Sequence, residues 1–128
     1  MALPKTYRLR HRREFTRVYR DGIRHSTPHL ILRALRLPNS SDNVTDDSVT
    51  ERSPRIGVSI SQKVSKKAVT RNRIKRQIQS AMQRLLPRMS KNWQVVVVVR
   101  PRAMQCDYSQ FLQELEQLLT EAEIINGH

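Results

Sequence analysis

Apolar side chains recur with the period of an α-helix in the N-terminal and central parts of the chain. Residues 11–20 predict a short amphipathic helix, which Gly22 is placed to end. Residues 67–86 predict a longer helix that ends at Pro87. The apolar stripe of the first helix is Phe15, Val18 and Tyr19, and that of the second is Ile74, Ile78, Ala81, Met82 and Leu85.

A third helical pattern fills the C-terminal part of the chain. Asp107 opens it, and Gln110 stands three residues later as the partner of a capping box. Asn126 and Gly127 are placed to end it. Its apolar face is formed by Tyr108, Phe111, Leu112, Leu115, Leu118 and Leu119.

Extended patterns lie between the helices. Residues 23–37 read as one bent strand or two short strands, because Pro28 interrupts the alternation. Apolar and polar residues alternate over 55–61, which predicts a half-buried strand. The segment 93–99 contains five consecutive valines, a composition typical of a strand covered on both faces.

The order of these elements predicts an α+β fold in which helices pack on a small sheet. The chain has 128 residues, enough for a single domain over 1–128. Residues 38–54 are polar, acidic and flanked by prolines, so we expect a flexible surface loop within that domain.

The charge of the chain indicates its class of partner. A net charge of +13 arises from 24 Lys and Arg against 11 Asp and Glu. Residues 52–102 carry 14 of the basic residues and no acidic residue. A continuous basic region supplies the attraction for phosphate that underlies nucleic-acid binding. A solvated basic surface without a specific partner and binding to a membrane surface remain as alternatives.

Other classes of protein fit the sequence poorly. No apolar run approaches the roughly 20 residues of a membrane span, and the N-terminus lacks the apolar core of a secretory signal. Cys106 is the single cysteine, so no internal disulfide can form. We therefore expect a cytoplasmic protein with no membrane association.

Metal and catalytic motifs are weak. His25 and His29 are separated by Pro28 and cannot form a helical metal-binding pair, and the sequence shows no cysteine or carboxylate cluster beside them. Cys106 is expected to be a packed thiol rather than a nucleophile. The basic region also lacks the paired carboxylates of a hydrolase. We expect no metal or cofactor site and no catalytic residue in the chain.

The start of the central helix concentrates the candidate RNA-binding residues. On a helical wheel, Arg71 and Lys75 flank the apolar stripe. Asn72, Arg73 and Arg76 point outward. Guanidinium and ammonium groups bind phosphate oxygens, and the helix N-terminus favours anions. The candidates are Lys63, Lys66, Lys67, Arg71, Asn72, Arg73, Lys75 and Arg76.

The string Ala-Val-Thr-Arg-Asn-Arg-Ile-Lys-Arg over 68–76 resembles the signature of the protein subunit of bacterial ribonuclease P. Weaker similarity extends to the strand 55–61, to the opening segment 8–19 and to the Arg-Pro pair at 100–101. The resemblance implies a four-stranded sheet with three helices in the order α-β-β-β-α-β-α, like the second domain of a small-subunit ribosomal protein. It also implies a left-handed crossover through the central helix, although such connections are generally right-handed.

The resemblance further implies two binding surfaces. The Arg-Asn-Arg helix contacts the catalytic RNA subunit. A cleft between the first helix and the sheet holds the single-stranded 5′ leader of precursor tRNA, with Phe15, Tyr19, Arg12 and Arg33 as its candidate residues. Aromatic rings stack on bases of any sequence, as leader binding requires. Ordinary core packing is the competing explanation for Phe15 and Tyr19.

Three positions depart from the family pattern. Arg33 stands where an aromatic residue is frequent, Gln62 where a second lysine is common, and Gln79 where an arginine is frequent. Leader contacts at these positions are therefore open, although the Arg33 guanidinium could stack on a base.

The resemblance predicts a non-catalytic protein cofactor of ribonuclease P. It would bind the catalytic RNA subunit in a 1:1 complex and promote endonucleolytic removal of the 5′ leader from precursor tRNA, with hydrolysis carried out by Mg²⁺ on the RNA. A structural ribosomal or RNA-scaffold protein is the main alternative. A self-sufficient nuclease is a third reading, for which the chain lacks candidate metal ligands.

Overall fold

The computed structural model describes residues 7–9, 11–37 and 53–125, which form a four-stranded sheet and three α-helices. The helices are α1 (Arg12–Asp21), α2 (Ala68–Leu85) and α3 (Tyr108–Glu121). The strands are β1 (Ile23–Ser26), β2 (Leu30–Arg36), β3 (Arg55–Ser59) and β4 (Trp93–Val99). Their order along the chain confirms the predicted α-β-β-β-α-β-α arrangement. Among the described helices, none has the length and apolar character needed to cross a membrane.

The sheet has the spatial order β1-β2-β4-β3. β1 pairs with β2 and β2 with β4 in antiparallel fashion, whereas β3 and β4 are parallel. α2 connects the two parallel strands, as the family resemblance implies, and the handedness of this crossover stays a prediction. The connection from β2 to β3 contains the predicted acidic loop over 38–54, of which only Ser53 and Pro54 belong to the described residues.

Helices cover both faces of the sheet. The larger core joins α2 and α3 to one face, where Val95, Val97 and Val99 of β4 are buried. On the other face α1 packs its Val18 against Val96. This arrangement explains the valine run, because alternate side chains of β4 enter opposite cores. Val98 is only half-buried, since α1 covers just part of its face.

The first helix and the hairpin that follows it agree with the sequence pattern. The N–H of Gly22 donates to the Val18 carbonyl oxygen and ends α1. A β-carbon at Gly22 would lie 2.5 Å from the carbonyl oxygens of Val18 and Ala34, so only glycine allows the helix to approach β2 this closely. The segment 23–37 forms two short strands, with the turn at 27–29 containing the proline.

The C-terminal helix begins as predicted, with Asp107 as its N-cap, but it ends earlier than predicted. The Asp107 side chain accepts a hydrogen bond from the backbone N–H of Gln110, but the Gln110 side chain donates to Glu114 instead of completing a capping box. α3 ends at Glu121, and Glu123 adopts a left-handed φ of 61°. The predicted end at 126–127 lies outside the described residues. The chain turns early because Ile124 and Ile125 are buried in the core.

Candidate nucleic-acid interface

The loop before α2 and the first turn of that helix form a concentrated cationic surface. Lys63, Lys66 and Lys67 are exposed. Lys67 is the N-cap and provides no side-chain hydrogen bond to the helix, whose first turn contains no acidic residue. The backbone N–H groups and the positive end of the helix dipole are thus available to an anion, and phosphate is the anion they would meet on RNA.

The basic face of α2 continues from this loop. Four polar residues of this face are exposed: Asn72, Arg73, Lys75 and Arg76. Their exposure confirms that Asn72, Arg73 and Arg76 point outward, and Lys75 lies next to them. Within the described part of the chain, none of the three cations forms an ion pair with a carboxylate. No described carboxylate therefore compensates these charges, and they repel one another until an anion binds.

Arg71 differs from its neighbours. Its side chain is half-buried, and one guanidinium nitrogen donates to the Ser65 carbonyl oxygen at 2.8 Å. This bond fastens the lysine-bearing loop to the first turn of α2. Arg71 is consequently a positioning residue for the loop as well as a candidate RNA ligand, and its substitution would disturb both.

α1 and the sheet form a second surface next to this helix. The Phe15 ring lies directly on Gly57 of β3, where a β-carbon would be 2.4 Å from the ring atom Cζ. Phe15 is half-buried and packs with Leu9, Val18 and Val96. Its ring is part of the smaller core, and its remaining surface faces the space between α1, β3 and α2. Packing thus accounts for part of the ring, and its contact with a leader stays a prediction.

We expect Gly57→Ala to displace the Phe15 ring, since the new methyl group would overlap it. Overpacking of this kind costs about 1 to 3 kcal/mol. Urea denaturation of the purified chain measures the loss in the free energy of unfolding. The double variant Gly57→Ala/Phe15→Leu should regain part of that loss, because leucine vacates the ring position, and an unchanged stability of Gly57→Ala would contradict the contact.

Tyr19, further along α1, forms a cation–π pair with Arg33 of β2. Tyr19 is 36% exposed, and the Arg33 guanidinium lies 5.4 Å from the centroid of its ring. Arg33 also donates a hydrogen bond to the Tyr19 carbonyl oxygen. The guanidinium that could have stacked on a base therefore stacks on Tyr19 and holds the ring in place.

A cavity of about 210 Å³ connects the two surfaces. It is lined from α1 by Phe15, from β3 by Gly57 and from α2 by Lys75 and Gln79. Gln79, a departure from the family pattern, is only 7% exposed and faces this cavity instead of solvent. The basic face of α2 and the aromatic side of α1 therefore form one continuous surface. A nucleic acid that contacts one of them is within reach of the other.

Arg12 does not line this cavity. It borders a separate groove of about 640 Å³ on α1, which is also lined by Arg13, Arg17 and Arg20. The sequence analysis did not identify these three arginines, although their spacing along the helix places them on one outward face. Gln62 is exposed in the loop before α2.

A partly buried polar cluster lies on the side of the sheet opposite α1, and it corrects the sequence-based view of His29. His29 Nδ1 lies 2.5 Å from Glu114 Oε2, and Cys106 is close to both. The expectation that no cysteine or carboxylate accompanies His29 was wrong, because these residues come together only through the packing of α3. His25 is not in this cluster and faces Glu121 at 3.9 Å.

The environment of Glu114 favours its charged form. Burial by itself would raise the pKa of this carboxyl group, but hydrogen bonds from Thr27, Gln110 and His29, together with the charge of His29, outweigh burial and lower the pKa. Burial raises the pKa of the Cys106 thiol, and the negative charges of Glu114 and Asp107 add to that effect.

These interactions make stability sensitive to acid. Since the pKa of Glu114 is lower in the folded chain than its ordinary value of 4.5, its contribution is complete above that value and is lost as the pH falls through the folded pKa. We expect the free energy of unfolding, measured by urea denaturation, to fall less steeply at acid pH in Glu114→Gln than in the wild-type chain. An equally steep fall in Glu114→Gln would show that other carboxyl groups account for it.

Comparisons with known proteins agree with this geometry. The sequence model of the family described as Ribonuclease P matches residues 3–123. The ribonuclease P protein component of a Cyanothece species is 53% identical and covers 98% of this chain and 99% of its own length. That of Nostoc punctiforme is 51% identical over 100% of this chain and 99% of its own length.

Solved structures show the same fold. The RNase P protein of Staphylococcus aureus superposes with a TM-score of 0.75 at 23% identity, covering 94% of this chain and 98% of that one. The RNase P protein of Thermotoga maritima gives a TM-score of 0.71 at 23% identity, covering 89% and 96%. At this level of identity the likeness concerns the fold alone.

Proposed function

This chain belongs to the ribonuclease P protein family, and we propose that it binds both the catalytic RNA subunit and the 5′ leader of precursor tRNA. Membership makes it a protein component of a tRNA-processing enzyme. We assign binding of the RNA subunit to the α2 surface and binding of the leader to the surface beside α1. The observation that carries it is the cavity that joins Phe15 of α1 to Lys75 and Gln79 of α2.

In this proposal α2 and the loop before it bind the RNA subunit. Arg73 and Arg76 would each form bidentate hydrogen bonds with phosphate oxygens, while lysines contribute point charges. The Asn72 amide can donate to a phosphate or accept from a 2′-hydroxyl group. Releasing the counterions of several phosphates would make this binding steeply dependent on salt.

The leader would lie along the sheet surface beside α1. The exposed part of Phe15 and the ring of Tyr19 offer faces for base stacking, which tolerates any base. Arg33 holds the Tyr19 ring by cation–π contact and by its bond to the Tyr19 carbonyl oxygen. The site would therefore grip single-stranded RNA without demanding a particular leader sequence.

The chemistry of cleavage would belong to the RNA subunit and its Mg²⁺. The side chains gathered at the described interface are guanidinium, ammonium, amide and aromatic groups, without the carboxylates that usually hold Mg²⁺ in proteins. The contribution of the chain would be to screen repulsion between the two RNAs and to hold the leader in position, which raises substrate affinity. One protein per RNA subunit would suffice.

A leader-dependent binding measurement tests this proposal against a scaffold role. The complex of the chain with a bacterial ribonuclease P RNA is titrated with precursor tRNA that carries or lacks its 5′ leader. We expect the chain to tighten binding of the leader-bearing substrate selectively. A structural RNA-scaffold protein would increase the affinity for both substrates equally, and that outcome would refute the leader site.

A further inference from the structure

Three side chains with metal-binding atoms meet where the β1–β2 turn, the short helical turn Pro101–Gln105 and α3 pack together. A ring nitrogen of His29, the sulfur of Cys106 and a carboxylate oxygen of Glu114 all lie within 4.8 Å of one another. We propose that these three residues form a binding site for one divalent transition-metal ion of the zinc type. None of the three ligands is among the candidate RNA-binding residues, which lie on α1, on β2, in the loop before α2 and on the first turns of α2.

The ligand set suits zinc in its chemistry, and its three donor atoms already lie close together. Zn²⁺ binds thiolate sulfur at about 2.3 Å, imidazole nitrogen at about 2.0 Å and carboxylate oxygen at about 2.0 Å, so ligand atoms of a tetrahedral site are roughly 3.3 to 3.6 Å apart. His29 and Glu114 are closer than this, at 2.5 Å, because they share a hydrogen bond. Lengthening the His29–Glu114 distance from 2.5 Å to about 3.3 Å would open the space for the ion.

Charge balance favours a divalent cation in this position. Glu114 is 6% exposed, and its carboxylate accepts hydrogen bonds from Thr27 and Gln110. On metal binding the Cys106 S–H bond breaks, its proton passes to solvent, and a sulfur–metal bond forms without any change of oxidation state. The carboxylate and thiolate then neutralise the ion. Asp107 adds negative charge nearby, whereas the guanidinium of Arg100 faces the same turn and opposes the cation.

Surrounding groups orient the ligands and leave a way in. The Thr27 hydroxyl and the Gln110 side-chain amide both donate to Glu114 and fix its orientation, as outer-shell groups do in metal sites. A cavity of about 290 Å³ adjoins His29 and is lined by Met104 and its neighbours in the turn. Water entering through this cavity could occupy a fourth coordination position.

A metal at this site would connect three separate parts of the chain. The β1–β2 turn, the segment after β4 and the C-terminal helix would be fastened to one ion. Since an unfolded chain does not hold the three ligands together, the free energy of metal binding would add to the free energy of folding.

Cobalt titration of the full-length chain tests the site directly. With Co²⁺ as the probe under reducing conditions, we expect one Co²⁺ ion to bind per chain and to produce a thiolate-to-cobalt charge-transfer band. Added Zn²⁺ should displace the Co²⁺ and abolish the band. Zn²⁺ should also raise the thermal unfolding midpoint. Absence of the thiolate band in the wild-type chain would overturn the proposal without any need for a variant.

Variants identify the ligands. Cys106→Ser should abolish the charge-transfer band, and His29→Ala should weaken Co²⁺ binding by at least about 10-fold. His25→Ala is the matched control, because His25 lies on the same hairpin but outside the cluster. If His29→Ala bound Co²⁺ as tightly as His25→Ala while keeping its circular dichroism spectrum, the assignment of His29 would be wrong.

Discussion

Replacing Arg73 and Arg76 together by alanine is expected to weaken binding of the chain to ribonuclease P RNA by roughly 100-fold at moderate salt. Both side chains are exposed on one face of α2 and form no ion pair with a described carboxylate. Their loss therefore removes phosphate contacts without breaking an ion pair within the described residues. Filter binding or fluorescence titration at several salt concentrations measures the effect.

The salt dependence distinguishes lost phosphate contacts from misfolding. Each contact removed should lower the slope of log K against log salt by about 0.7 to 0.9. Arg84→Ala is the matched control, since Arg84 is an exposed arginine on the same side of α2, three turns further along. Equal losses for Arg73→Ala and Arg84→Ala would indicate a general effect of charge and would contradict a localised interface.

Replacing Phe15 by leucine is expected to reduce the preference for leader-bearing precursor tRNA by about 5- to 150-fold, the range for loss of one stacked base. Leucine keeps an apolar side chain over Gly57 but has no ring to stack on a base. The measurement compares the dissociation constants of precursor tRNA with and without its leader, using the complex of the variant with ribonuclease P RNA.

Phe111→Leu provides the control for this experiment. Phe111 is fully buried in the core formed by α2 and α3, away from the α1 side of the sheet. Its substitution should lower stability while leaving the leader preference intact. If Phe15→Leu weakened binding of leaderless tRNA to the same extent, Phe15 would act only through packing and the leader site would be wrong.

Periodicity in the sequence predicted the three helices and the strands near 55–61 and 93–99, but it left open whether 23–37 forms one strand or two. The strand Trp93–Val99 has the predicted boundaries, and α2 differs by one residue at each end. The end of α3 was mispredicted because Asn126 and Gly127 are local stop signals, whereas the actual end is imposed by burial of Ile124 and Ile125. Tertiary packing overrides a local signal of this kind.

The basic face of α2 was predictable for the same reason, because a helical wheel needs only the sequence. The cavity shared by Phe15, Lys75 and Gln79 was not predictable from residues alone, since it depends on how α1 and α2 meet β3. The meeting of His29, Cys106 and Glu114 likewise requires the packing of α3 against the hairpin. Local patterns specify which side of an element is polar, but not which element it will face.

Precursor-tRNA cleavage at low Mg²⁺ shows whether the chain acts as the protein cofactor of a catalytic RNA. The purified chain, a bacterial ribonuclease P RNA and their mixture are compared on substrates with and without a 5′ leader. We expect efficient release of the leader by the mixture only, with binding improved most for the leader-bearing substrate. Cleavage by the chain alone, or an RNA activity that the chain does not stimulate, would contradict this role.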